Sequence, residues 1–531
     1  MKKFINKIKN NKVLSILSVL IIGLFFILVT RITYAYLAPV INDAQTNVVG
    51  STDTVDDFKF ELGNPLKINA TPTTLKENGS NYTTSTTAKA LLKANSTKKT
   101  ATFNYYVYFQ IKSNTFTYSD GSTPEIILTV TNPNGDEITS IDGLTYGTFN
   151  GVSGFDVTTK KGLFNIANSY EITSNSSTTY TTQSWKIKIT YLNLSIDQST
   201  NFGNSMDVNV YITKNEKKPT LADVCSNGQT LSSCIIEMDG KDDTLYHHTS
   251  SLANGAGDNS YRYAGASESV NNFVCFGTNS ATCPEDNLYR IIGVFEDKVK
   301  LIKYDYANSN LLGTDGDYNG SVTPNASYYK GSLTSIDAYS WNFKNDTTVN
   351  NSSGSNTWST SLLNKINLNT NYLNNIGTIW SNMIEDATWK VSGHSTYSVT
   401  PSEMYTAEIT NATKTYGPSD GTSKIGLVYA SDYGFAASPS AWTTILNDYN
   451  GNDANGTSII TINWMFMGDY DWTISPYSSR SFHVFYLNYN GYVDIFAAAN
   501  GFGSRPVMYL KASVLYAGGS GTKDSPITLV V

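Results

Sequence analysis

The segment Trp185-Lys186-Ile187-Lys188-Ile189-Thr190-Tyr191 alternates charge with bulky apolar side chains at a period of two. Such a pattern separates a wet face from a packed face only in an extended strand, since a helix would mix the two. Three more runs rich in β-formers share the same region: Phe103–Ile111, Glu125–Val130 and Met206–Ile212. Clusters of Asn, Gly, Ser and Thr separate them, the punctuation expected of turns. Charged residues are only 15% of the chain while Tyr reaches 36, a composition that suits pleated surfaces with polar faces rather than helical bundles. These features predict a mainly β protein whose residues 36–213 form an antiparallel β-sandwich acting as a stalk.

The N-terminus sets the compartment. Lys2, Lys3, Lys7, Lys9 and Lys12 precede an uncharged, Leu/Ile/Val/Phe-rich run from Val13 to Thr30, so residues 1–35 read as an export signal or a membrane anchor with the basic end inside. Thr33-Tyr34-Ala35 offers small residues for cleavage before Tyr36, while the apolar run is nearly long enough to span, and both readings stay open. Either way the remainder is expected outside the cell, with the membrane a partner only if the helix is retained. A net charge of −7 without a basic stripe makes nucleic acid an improbable partner.

The charged run Lys214-Asn215-Glu216-Lys217-Lys218-Pro219 marks a boundary, after which residues 214–284 read as a linker and a cysteine-clipped region. The four cysteines fall into two short-range pairs in an exported chain, predicting disulfides Cys225–Cys234 and Cys275–Cys283; zinc binding by all four is the rival. Asp286–Phe295 and Lys298–Asp305 flank a two- to three-residue turn at Glu296-Asp297 as a hairpin. Seven of eight tryptophans lie beyond residue 340, which places a substantial core in residues 285–531. Ser361–Leu368 and Tyr372–Ile376 have the spacing of two short helices, and Lys424–Phe435 reads as a strand with a turn.

Near the C-terminus, Asp471-Trp472-Thr473-Ile474-Ser475-Pro476 is followed thirty-odd residues later by Gly503-Ser504-Arg505-Pro506-Val507. This pair of motifs resembles the ending of C-type-lectin-like domains of the formylglycine-generating-enzyme-like fold, as in "WxxSP…GxRP" surface proteins of gut Firmicutes. The resemblance spans about Cys225 to the C-terminus and implies an α+β, lectin-like head. Within it Trp472 and Arg505 would be scaffold. The layout also resembles variable receptors of diversity-generating retroelements, which implies that the segment between the motifs meets the ligand. There Tyr477, Arg480, Phe482, Phe485, Asn488, Tyr489, Asp494, Phe496 and Asn500 are a scatter of aromatic and polar types suited to broad contact surfaces, with Val484, Leu487, Gly491 and Val493 as their scaffold. The N-terminal strands faintly resemble exported matrix-fibre proteins of the TasA and camelysin type.

Enzymatic constellations are missing from the sequence. No cysteine follows Cys283, as formylglycine-generating chemistry would need, and His247, His248, His394 and His483 lack metal-site spacing. His247 and His248 would point to opposite faces of a strand. Asp315, Asp317, Asn319 and Gly320 reproduce half of a calcium loop, but Ala326 stands at the position of the required Glu, so a polar turn is expected, with no metal and no cofactor. The expected function is a bacterial surface receptor or adhesin for a protein or glycan on another cell; the alternative is a structural surface or matrix-fibre protein.

Overall fold

The computed structural model describes residues 56–72, 79–314, 328–333, 335–343, 354–412 and 421–530. The basic N-terminal run, the export segment and the half calcium loop at Asp315, Asp317 and Asn319 lie outside the described residues. Strand accounts for 38% and helix for 16%, so the protein is mainly β, and its ladders are antiparallel. Among the described residues no helix is long and apolar enough to cross a membrane.

The chain divides into two compact units with the main boundary between Lys217 and Lys218. In the first, a six-stranded sheet runs in the order Asp57–Leu62, Tyr82–Lys93, Thr181–Tyr191, Ile126–Thr131, Val152–Asp156, Thr145–Phe149. A four-stranded sheet orders Leu66–Asn69, Ser205–Thr213, Ala101–Asn114 and Gly162–Ser174. Alternation works as the sequence implied: Trp185, Ile187 and Ile189 are buried while Lys186 and Lys188 are exposed. The buried rows of both sheets meet in one core, where the Trp185 indole donates to the Tyr105 hydroxyl at 3.0 Å and that hydroxyl donates to Gln183 at 2.8 Å.

The second unit is built on a seven-stranded sheet. Its path runs Leu245–His247, Tyr261–Tyr263, Leu288–Phe295, Lys298–Lys303, Val507–Tyr509, Ile425–Gly426, with Phe273–Cys275 also pairing to Leu288–Phe295. The expected hairpin is present with Phe295 opposite Lys298, and Glu296 takes a positive φ of 57° to close the two-residue turn. Residues 218–284, expected as linker and clip, instead supply three strands of this sheet, so the unit begins about 67 residues before the expected 285 boundary. Local composition misled because these strands are three residues each, shorter than any periodic signal. Both disulfides form as paired in sequence, with Cα–Cα separations of 5.2 and 5.8 Å.

Two local expectations need correction. The separate helices predicted over 361–376 are one helical run, a ten-residue π-type stretch Leu363–Tyr372 continuing into Leu373–Ile376. Its wide turns carry i to i+5 side-chain bonds: Asn369 donates to the Asn364 carbonyl and Thr370 to that of Lys365. The strand expected over 424–435 stops at Gly426, and Ala430–Ala436 is a helix. Tertiary contact decides this, because the buried Glu408 carboxylate accepts the Ala430 and Ser431 N–H groups that open the helix.

All seven late tryptophans are buried in this unit. Charge is buried with them. Asp432 accepts from Arg262 at 2.7 Å and Lys300 at 2.5 Å, and Arg262 also holds Asp258 at 2.7 Å. Arg290 has no acidic partner among the described residues, and its guanidinium is satisfied by Asn272, Ser267 and the Val270 and Trp464 carbonyls between the rings of Phe273 and Trp464. His248 is likewise interior, accepting the Ala256 N–H and packed on Phe435 and Trp442, whereas His247 stacks on Tyr261 nearer the surface.

Candidate functional site

The segment between the two C-terminal motifs folds as a three-stranded sheet of Asp471–Pro476, His483–Leu487 and Val493–Ala497. Its register fixes the faces. Trp472 lies opposite Tyr486, Tyr486 opposite Asp494, and Val484 opposite Phe496, so these side chains share one side. His483, Phe485, Leu487, Val493 and Ile495 take the other, and the main core draws on both sides, with Trp472, Val484 and Tyr486 from the first and Phe485, Leu487 and Val493 from the second.

The first side is layered. Trp472 is fully buried and donates its indole N–H to the Tyr339 carbonyl at 2.7 Å. Phe502 covers it at 4.6 Å between centroids, and Tyr486 and Tyr470 pack on Phe502 at 4.7 and 4.9 Å. On this stack sit Phe496, 5.5 Å from Phe502, and Tyr489, 5.3 Å from Tyr470. Those outermost rings are 42% and 48% exposed, and each belongs to the few large apolar side chains left in water among the described residues.

Beneath the layer, Arg505 is 2% exposed, donating its Nε to Asp471 at 2.6 Å and an Nη to the Met465 carbonyl at 3.0 Å. Burial raises the Asp471 carboxyl, and Arg505 opposes that. Trp472 and Arg505 therefore hold the sheet from below, as scaffold does.

The nine residues expected to meet a ligand separate on this geometry. Tyr489 and Phe496 are exposed, and Asp494 is half-buried beside them on the same face. Arg480 is exposed and Tyr477 and Phe482 half-buried, but they belong to the loop before His483, pinned where Asn356 donates to the Arg480 carbonyl at 2.7 Å. Asn500 is half-buried in a turn over the Ala497 carbonyl.

Phe485 and Asn488 are corrected. Phe485 is 1% exposed, on the second side of the sheet with Leu487 and Val493. Asn488 is 4% exposed and builds the hairpin turn: its N–H donates to the Tyr492 carbonyl, its own carbonyl accepts from Gly491, and its side chain accepts the Asn490 N–H. Neither side chain is available to a ligand.

Four residues around the layer escaped the sequence reading: Tyr470, Tyr486, Tyr492 and Phe502. Period-two alternation through Tyr492, Asp494 and Phe496 could have revealed Tyr492. Tyr470 and Phe502 enter only through tertiary packing. Burial raises the Tyr492 phenol first, with Asp494 and Tyr489 adding to it; the Tyr470 phenol is raised by burial, then Tyr489, Tyr492 and Asp469. Among the described residues no group of three or more His, Cys, Asp or Glu side chains could hold a metal ion.

No protein-family model, curated protein or solved structure matches the chain.

Proposed function

We propose that this protein is a bacterial cell-surface receptor or adhesin, in which a C-type-lectin-like head is displayed on a β-sandwich stalk and binds a protein or glycan without catalysing a reaction. The observation that carries this reading is the pair Tyr489 and Phe496, left in water on an aromatic stack in which Trp472, Tyr486 and Phe502 are buried and Tyr470 is half-buried. Exposed aromatics on a rigid support are the usual energetic centres of recognition surfaces. The two disulfides suit an oxidising extracellular environment. Residues 36–531 screened against glycan and host-protein arrays should retain a ligand. Tyr489→Ala or Phe496→Ala should weaken it by about 1 kcal/mol or more while leaving the melting curve in place. Binding indifferent to both substitutions would remove the support for this face.

The structural alternative has its own observation. The 13-residue strand Gly162–Ser174 lies at the edge of its sheet, where unpaired backbone groups favour lateral assembly. Fibres that form with rising concentration, in protein that retains no ligand, would favour that reading.

A further inference from the structure

The aromatic face is also acidic. Asp494 stands on the same side of the sheet as Phe496 and Tyr486, and no ion pair among the described residues uses it; its only described hydrogen bond is from the Ile495 N–H at 2.8 Å. Asp469 adjoins Tyr470 and accepts from Ser335 at 3.3 Å. Burial first, then neighbouring phenols and carboxylates, raise both ring hydroxyls: Asp494 and Tyr489 for Tyr492, and Tyr489, Tyr492 and Asp469 for Tyr470. Lys330 approaches Gly501 through its Cβ, but its ammonium lies over Phe343 at 4.3 Å, directed to a different ring.

A glycan-binding face of this kind would need amide and hydroxyl groups in directional pairs around a ring platform. Two of the amides near the exposed rings are spent internally, Asn488 in the turn and Asn500 on the Ala497 carbonyl, and Asn490 beside Tyr489 is exposed. The face pairs exposed π-surface on Tyr489 and Phe496 with the Asp494 carboxylate, the combination that attracts ammonium and guanidinium groups.

We propose that the face formed by Tyr470, Tyr489, Tyr492, Asp494 and Phe496 recognises a lysine- or arginine-bearing segment of a partner protein. The inference rests on the ligand-binding reading above and names its partner class. A basic side chain stacks on Tyr489 or Phe496 while the half-buried Asp494 supplies the counter-charge, which raises affinity and association rate and makes both salt-dependent. The overall charge of −7 adds a weak, screened attraction of the same sign.

The test uses residues 36–531 and a labelled peptide, Ac-(Gly-Arg-Gly-Lys)3-NH2, with Ac-(Gly-Glu-Gly-Asp)3-NH2 and chito- and manno-oligosaccharides as parallel probes. The basic peptide should bind, weaken at least about fivefold in Tyr489→Ala, and weaken by a similar factor in Asp494→Asn, which preserves the Ile495 contact. Binding of the basic peptide that is unchanged in both variants would show adhesion elsewhere on an acidic protein and overturn the proposal. So would no binding of that peptide at all. An oligosaccharide that binds and is lost in Tyr489→Ala but not in Asp494→Asn would overturn this partner class while leaving the ligand-binding reading standing. An array ligand indifferent to Tyr489 and Phe496 would bring down both.

Discussion

Single residues divide here by what their removal would leave behind. Arg505→Ala leaves the Asp471 carboxylate, 1% exposed, without its cation, and such an orphaned charge costs about 3 to 5 kcal/mol. Tyr489→Ala removes a half-exposed ring and should stay within about 0.5 kcal/mol. Urea titrations of the two variants should therefore separate widely, and equal midpoints would reverse the division into scaffold and surface. Glu408 adds a pH dependence. Burial pushes its carboxyl up to about 7 from the ordinary 4.5. Between those values the folded protein keeps a proton that the unfolded chain has released, so this group lowers stability as pH rises. His248 works in the opposite sense: burial, and then Arg262, hold it down to about 3 from 6.5, so its contribution is present above 6.5 and lost as pH falls. The two partly cancel between pH 4.5 and 6.5. Glu408→Gln should expose the histidine slope, gaining on the wild type by about 3 kcal/mol as pH rises from 4.5 to 7. Parallel profiles for the two proteins would place the carboxyl at its ordinary value.

At the scale of elements, the hairpin that carries Tyr489 is held by its turn. Asn488 closes the turn by main-chain and side-chain bonds, and Gly491 sits at φ 95° where an added Cβ would meet Ile460 at 2.3 Å. Asn488→Ala should cost about 1 to 2 kcal/mol of stability, from lost bonds in a buried site. Phe485→Ala should cost about 3 to 5, from the cavity left in the core. Thermal melts monitored by tryptophan fluorescence distinguish these losses from a ligand role, which would leave the melts unchanged. The helix Ala430–Ala436 teaches a related lesson: Val428 and Tyr429 are β-formers, and the run turns helical only where Glu408 meets the N–H groups that open the helix.

Across the whole molecule, covalent and aromatic markers segregate. Both disulfides and seven of the eight tryptophans belong to the unit that starts at Lys218, leaving Trp185 alone in the other. Reduction should therefore destabilise the unit holding the cysteines by about 2 to 3 kcal/mol per short loop. In Trp185→Phe protein, fluorescence reports that unit by itself, and its unfolding midpoint should fall with reductant. An unchanged midpoint, or long-range pairing in a non-reducing peptide map, would contradict the two short loops.

Local chemistry alone determined the β character of the Trp185–Tyr191 strand, the two-residue hairpin turn, the short-range cysteine pairs and the burial of the late tryptophans. Each is set by neighbours a few residues away or by side-chain size. Val484 and Leu487, grouped as scaffold from the sequence, lie on opposite faces of one strand, and alternation by itself does not say what covers either face. Phe502 and Tyr470 cover one side and the other packs into the same core, contacts whose partners alternation does not encode. Hence Phe485 was legible as aromatic but not as core, and Asn488 as polar but not as the closure of a turn. The three short strands within 218–284 were likewise decided by tertiary structure, because a three-residue strand gains its stability from the sheet it joins rather than from its own sequence.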